Sequence, residues 1–413
     1  MRRRQFLKYG SAGLVTLAWG ASGLPGGPGI GPRRAEAVSL SFTLTIQPVT
    51  IEMIDGEEVF FFAFADVDKG PRVPGPVIRV TEGDRVTLTV KNADDQTHAF
   101  DIPGVPGSRT GPIPPGTART ITFIAPRRRA GTYLYLDPTN APVNRVLGLH
   151  GAFIIEPENN GLTRAGSPTP YNRAQLTPAV AAVFDALGRT PRFPGDQWNP
   201  EDPERERVWV FNQVDPRFNK LAADDTPIDP KRFVAEFLPR YFTINGVSGF
   251  DSAHKEANVP SGFIGQPTLI RVLNAGLNTH SPHSHGNHVF ELSGVSGGTG
   301  LIGAVLARPR LTSTPTAAEA TVVVRNNVIE RDTWTMASLD RKDVLLPFER
   351  PPDIPAAAFP PEEEPFPFRY PIHCHIEMSQ TAAGGNYPQG MVTDWEILGP
   401  LRSSASRTAS VTK

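Results

Sequence analysis

The chain has 413 residues and a formal net charge of −1, from 41 basic and 42 acidic side chains, so no bulk field argues for nucleic acid or an anionic membrane. Its 38 glycines and 43 prolines, without any repeat period, exclude a mostly helical protein and suit short strands joined by many turns. The length allows two or three domains and a substantial core.

The first residues, MRRRQFLK, place Arg3 and Arg4 ahead of Gln5-Phe6-Leu7-Lys8, and a mildly apolar stretch follows up to Ala35-Glu36-Ala37. The twin arginine and the small-residue cleavage site resemble a Tat export signal, so residues 1–37 are expected to be a signal peptide. The protein is then expected to be periplasmic or extracellular. The apolar stretch is short and broken by glycines, and no membrane span is expected in the mature form.

From residue 38 to 157 the pattern alternates and is rich in Val, Ile, Thr and Phe: SLSFTLTIQPVTIEMI, GEEVFFFAFADV, PGPVIRVTEGDRVTLTVKN, TARTITFIAP, GTYLYL and LHGAFIIEP. About seven short strands with turns between them predict a Greek-key β-sandwich or barrel. A polar linker, 158–204, holds one short helix, with Thr177 as its cap, Pro178 at the first position and Gly188 as its stop. A second unit, 205–400, repeats the grammar of the first, with RVWVFNQV, YFTINGVSGF, PTLIRVLNAG, HCHIEM and GMVTDWEIL. A Pro-rich loop, PFERPPDIPAAAFPPEEEPFPF, precedes HCH, and residues 401–413 read as a disordered tail.

Six of the nine histidines fall in two groups. His280, His283, His285 and His288 lie in HSPHSHGNH, and His373 and His375 flank Cys374, the single cysteine. Residues i and i+2 of a strand share a face, so His283 with His285 and His373 with His375 can converge on one point. Neutral imidazole suits copper, zinc, iron and nickel. Cys374 points to the opposite face, where His280 could meet it, and a thiolate with imidazole selects copper. The bland reading, solvated histidines and a core thiol, is outweighed by two His-x-His pairs in one domain.

HSPHSHG resembles the H-P-x-H-x-H-G element of multicopper oxidases, and HCH followed by Gly390-Met391 resembles their C-terminal signature. The arrangement is similar to the two-domain, small-laccase-like branch. That resemblance implies an all-β fold of two cupredoxin-like domains, copper, and one-electron oxidation of a donor coupled to O₂. The donor would be a phenolic small molecule, a metal ion or a redox protein. The resemblance also implies that His280 and Cys374 are type 1 ligands. His283 and His98 would bind type 2 copper, while His285, His373 and His375 would bind the type 3 pair. The branch further implies a homotrimer in which one subunit's first domain faces the next subunit's second.

The pattern then departs from the family. Phe100 stands where the second histidine of the first pair is expected, Leu136-Asp137-Pro138 replace an H-S-H, and Ser379 stands where the second type 1 histidine is expected. Met378, Glu377 and Met391 are candidate substitutes at the thiolate site, and His150 is a candidate compensating ligand whose blander reading is a core residue. Three readings stay open on the sequence: a copper oxidoreductase with a reduced ligand set, a non-catalytic copper-binding cupredoxin, and a zinc protein on the same scaffold.

Overall fold

The computed structural model describes residues 37–193, 195–295, 322–349 and 365–400. The expected signal segment up to residue 36, most of the Pro-rich loop and the tail lie outside the described residues. Strands dominate, as the alternating pattern predicts. In the N-terminal half they are β1 (Ser39–Glu52), β2 (Glu58–Asp66), β3 (Gly70–Arg72), β4 (Ile78–Thr81), β5 (Arg85–Asn92), β6 (Ala118–Ile124), β7 (Gly131–Leu136) and β8 (His150–Glu156). The C-terminal half adds β9 (Glu206–Val214), β10 (Tyr241–Ile244), β11 (Ser261–Phe263), β12 (Thr268–Asn274), β13 (Pro282–Ser284) and β14 (Val289–Val295). After these come β15 (Val323–Arg331), β16 (Arg341–Leu346), β17 (Phe368–Cys374) and β18 (Val392–Gly399).

No described sheet mixes the halves. The first half forms β3-β2-β1-β5-β6 and β4-β8-β7; the second forms β10-β9-β12-β16-β14-β15 and β11-β18-β17-β13. β5 shows the alternation that builds these sheets: Val86, Leu88 and Val90 point into the core, while Thr87 and Thr89 turn outward and meet Thr122 and Thr120 across the strand pair. β7, β8 and β12 differ, being buried on both faces. Leu134, Leu136 and Ala152 on β7 and β8 pack against Val210, Leu273 and Ala275, so these strands form the seam between the halves. Polar ties cross the same seam. Thr132 Oγ1 donates to Asp343 at 2.7 Å, and the fully buried Arg271, 2.8 Å from Glu206 of its own half, lies 3.6 Å from Glu156 of the other.

Between the halves, the helix Pro178–Ala186 starts where the Thr177 hydroxyl accepts from the Val180 amide, and it buries Val180 and Phe184. Among the described residues no helix is long and apolar enough to cross a membrane.

One backbone approach sets the entry to β8. Gly148 sits at φ +123°, a region that favours glycine, and an added Cβ would overlap the Phe62 carbonyl oxygen. Phe62 in turn donates its amide to Leu147. Gly148→Ala is expected to destabilise the metal-free protein by about 2–4 kcal/mol, read as a lower denaturant midpoint. An unchanged midpoint would show that the turn relaxes freely.

Candidate metal centre

β13 is only three residues long, yet its register fixes the site. It pairs antiparallel with β17 so that His283 lies directly opposite His373, Pro282 opposite Cys374 and Ser284 opposite Ile372. Directly opposed residues share a face, so the two imidazoles project together. The chain on either side continues the geometry: His285 donates its amide to the Pro371 carbonyl and His375 to that of Ser281. On its other edge β13 is held by residues 332–336, where the Ser284 amide bonds the Asp332 carbonyl and the Trp334 amide that of Pro282.

The four rings therefore gather. Centroids of His283 lie 4.5 Å from His285, 5.3 Å from His373 and 4.9 Å from His375. The Nε2 atoms of His285 and His373 are 3.0 Å apart. Potential ligand atoms of His283, His285 and His373 all lie within 4.8 Å of one another. His285 and His375 are exposed, and His283 and His373 are half-buried.

The electrostatics favour a cation here. Burial, then the neighbouring imidazoles, lower the pKa of His283, against a weaker opposing pull from Asp332. Burial likewise lowers that of His373, with His285 and His375 adding to it. Each ring is thus held neutral, with a lone pair free to ligate. The Nδ1 of His283 is buried without a partner, and its Nε2 is 3.6 Å from the Asp332 carboxylate. An orphaned ring nitrogen, clustered neutral imidazoles and one carboxylate at the edge form a donor set that fits copper or zinc.

On the opposite face of β17, Cys374 is buried in an apolar cluster with Met391, Met336, Trp334 and Phe211. Its Sγ accepts from the Ser281 amide at 3.3 Å and lies 3.6 Å from His280 Nδ1. His280 is fully buried between the edges of Phe211 and Phe242, and burial pushes its pKa down to about 3. The candidate substitutes are placed unequally. Met378 is 47% exposed and Glu377 is exposed, so both turn to solvent. Met391 is buried, and its carbonyl accepts from the Cys374 amide. Ser379 is buried, but its hydroxyl donates to the Ile376 carbonyl at 2.7 Å.

The structure does not bring His98 to the cluster. It is fully buried in the first half, with Nδ1 2.8 Å from Asp137 and Nε2 2.8 Å from Asp94. Burial alone would lower its pKa; the two carboxylates, Asp137 foremost, outweigh this and raise it to about 9. An imidazolium with both nitrogens committed has no lone pair for a metal. His150 also stays apart. Its Nδ1 bonds the Arg145 carbonyl at 2.7 Å, its Nε2 is buried without a partner, and burial pushes its pKa down to about 4. His254 and His288 are exposed, His254 stacking on Phe250.

Sequence reasoning missed three contributors. Asp94 precedes His98 by four residues, a signal that could have been read. Asp332 stands beside His283, and Gln213 directs its amide nitrogen at His280 Nε2, both through tertiary contacts alone.

Residues 70–160 match the family model for multicopper oxidases. Copper resistance protein A of Escherichia coli is 30% identical over 189 residues, which are 42% of this chain and 28% of that protein. A copper-containing nitrite reductase of Rhizobium meliloti (strain 1021) is 25% identical over 271 residues, 62% of this chain and 60% of that protein. The chain thus spans less than two thirds of the length of either curated relative. The solved blue copper oxidase from Nitrosomonas europaea superposes with a TM-score of 0.57 at 19% identity, over 87% of this chain and 86% of that one. The multicopper oxidase mgLAC does so with a TM-score of 0.55 at 20% identity, over 90% of each chain. At these identities the likeness is one of fold.

Proposed function

We propose, from the premise that this chain belongs to the multicopper oxidase/cupredoxin family, that it is an exported copper-dependent oxidoreductase whose copper is held by imidazoles alone. The observation that carries the reading is the convergence of His283, His285 and His373, with His375 beside them, through the register of β13 on β17. Copper, when bound, supplies one-electron redox chemistry toward a donor and O₂. The protein's own residues hold His283 and His373 neutral, orient these two by strand pairing, and leave His285 and His375 open to solvent. That exposure leaves room for a phenolic molecule, a metal ion or a redox protein as donor.

The ligand set is reduced relative to the pattern the sequence resembles. Asp137 and Asp94 occupy both nitrogens of His98, so the first half contributes no imidazole to copper as folded. A homotrimer remains part of the proposal because the histidine face is open, with the next copy covering rather than ligating it. The twin arginine at Arg3 and Arg4 supports export by the Tat route to the periplasm or beyond.

The test is metal analysis of the mature chain purified from copper-replete cells, with O₂ uptake measured on phenolic and metal-ion donors. Bound copper with donor-dependent O₂ uptake supports the oxidoreductase. Bound copper with no uptake on any donor points to the non-catalytic copper protein, and zinc retained in place of copper to the zinc protein. Arg3→Lys with Arg4→Lys should keep the precursor in the cytoplasm; normal export of that variant would sink the Tat assignment.

A further inference from the structure

We infer that the Cys374–His280 pair of this chain holds no copper, because Gln213 fixes His280 in the tautomer that carries its proton on Nδ1. The inference goes beyond the proposed function and does not depend on the imidazole cluster binding copper.

Gln213 is fully buried on β9, and both ends of its amide are committed. Its Oε1 accepts from the backbone amides of Leu277 at 2.6 Å and Asn278 at 2.9 Å. Two donors on one oxygen fix the orientation, since a swapped amide would set its NH₂ against two N–H groups. The NH₂ end therefore faces His280 Nε2, the partner it contacts. A side-chain amide nitrogen only donates, so His280 Nε2 accepts and the ring proton sits on Nδ1. That proton points at the Cys374 sulfur, 3.6 Å away, which also accepts from Ser281.

Copper on this pair needs the Nδ1 lone pair. Ligation would move the ring proton to Nε2, where it would confront the Gln213 NH₂ in a buried space, donor against donor. The amide is held in that orientation by the Leu277 and Asn278 amides. The Gly276 backbone abuts it so closely that an added Cβ there would overlap Oε1, Cδ and Nε2 of Gln213.

An independent observation points the same way. A thiolate copper centre of this kind takes two imidazoles and one sulfur. The position for the second imidazole is Ser379, whose hydroxyl is spent on the Ile376 carbonyl in its own turn. What survives is one imidazole and one thiol, joined by a hydrogen bond and packed as core among Phe211, Trp334 and Met391.

The full mature chain, loaded with Cu(II), tests this by visible absorption and copper counting. Wild-type protein is expected to show no intense thiolate-to-copper charge-transfer band, and Cys374→Ala to bind as much copper per chain as wild type. Proton–nitrogen correlation spectra of the metal-free histidine rings should show His280 protonated on Nδ1, a readout that needs no variant to fold. In Gln213→Glu one carboxylate oxygen can keep the Leu277 and Asn278 bonds while the other accepts from His280 Nε2–H, freeing Nδ1. With Ser379→His added to restore the second imidazole, that variant is expected to gain one copper per chain together with the missing band, whereas Ser379→His alone is not. An intense band in wild type that disappears in Cys374→Ala would overturn the inference. His280 protonated on Nε2, no gain of copper in a folded Gln213→Glu/Ser379→His, or an equal gain in Ser379→His alone, would overturn the role given to Gln213.

Discussion

Replacing His283 and His373 together by alanine is expected to weaken copper binding by at least a factor of about 100, with little change in the fold. Loss of outer-shell partners alone costs about 10–100-fold in metal affinity, and here two ligands leave at once. These two are chosen because they face each other across β13 and β17, so their removal takes out the centre of the group and leaves His285 and His375 without a common partner. Both rings are half-buried, which limits the packing lost. Equilibrium dialysis would measure the affinity. Thermal unfolding adds a readout independent of turnover, since a ligand at 100 times its Kd stabilises the folded state by about 2.7 kcal/mol. Wild type should therefore gain stability on adding copper and the double variant should not. Equal copper-induced stabilisation of both proteins would remove the cluster from the metal site.

Much of that cluster was legible because strand periodicity is a local rule. His-x-His on each of two strands puts two imidazoles on one face, and adjacency of the strands does the rest. The all-β fold was legible for the same reason, from alternation in segments such as RVTLTVKN. What could not be read depends on contacts between residues far apart in the chain. Gln213 reaches His280 across 67 positions and Asp137 reaches His98 across 39. The pattern that resembles a family identifies a histidine and is silent about which atom its nitrogens face. His98 shows the consequence: a residue in a ligand's place has become the cation of a buried ion pair. Met378 shows another, since the turn Glu377–Gln380 aims it at solvent while Ser379 is turned inward.

The stability of the metal-free protein is expected to fall on raising the pH from about 6.5 to above 9, and His98 is the reason. Its folded pKa, about 9, lies above the ordinary histidine value of 6.5. A raised value means that the folded state binds the proton more tightly. The contribution is therefore fully present below the unfolded value and is lost as the pH rises through the folded one. The span of the two values corresponds to roughly 3 kcal/mol. The charges facing the ring are Asp94 and Asp137, and Asn144 also donates to Asp137 at 2.9 Å. On the acid side the sign reverses. His150 and His280 are buried neutral, with values of about 4 and about 3, so the unfolded chain takes up protons first and stability falls as the pH drops below 6.5. Denaturant unfolding across this range should give a maximum near pH 6.5 for wild type. In His98→Gln the alkaline decline should vanish and the maximum should be lower, because the carboxylates lose their cation. A wild-type curve that stays level from pH 6.5 to 9 would mean that His98 is not an imidazolium in the folded protein.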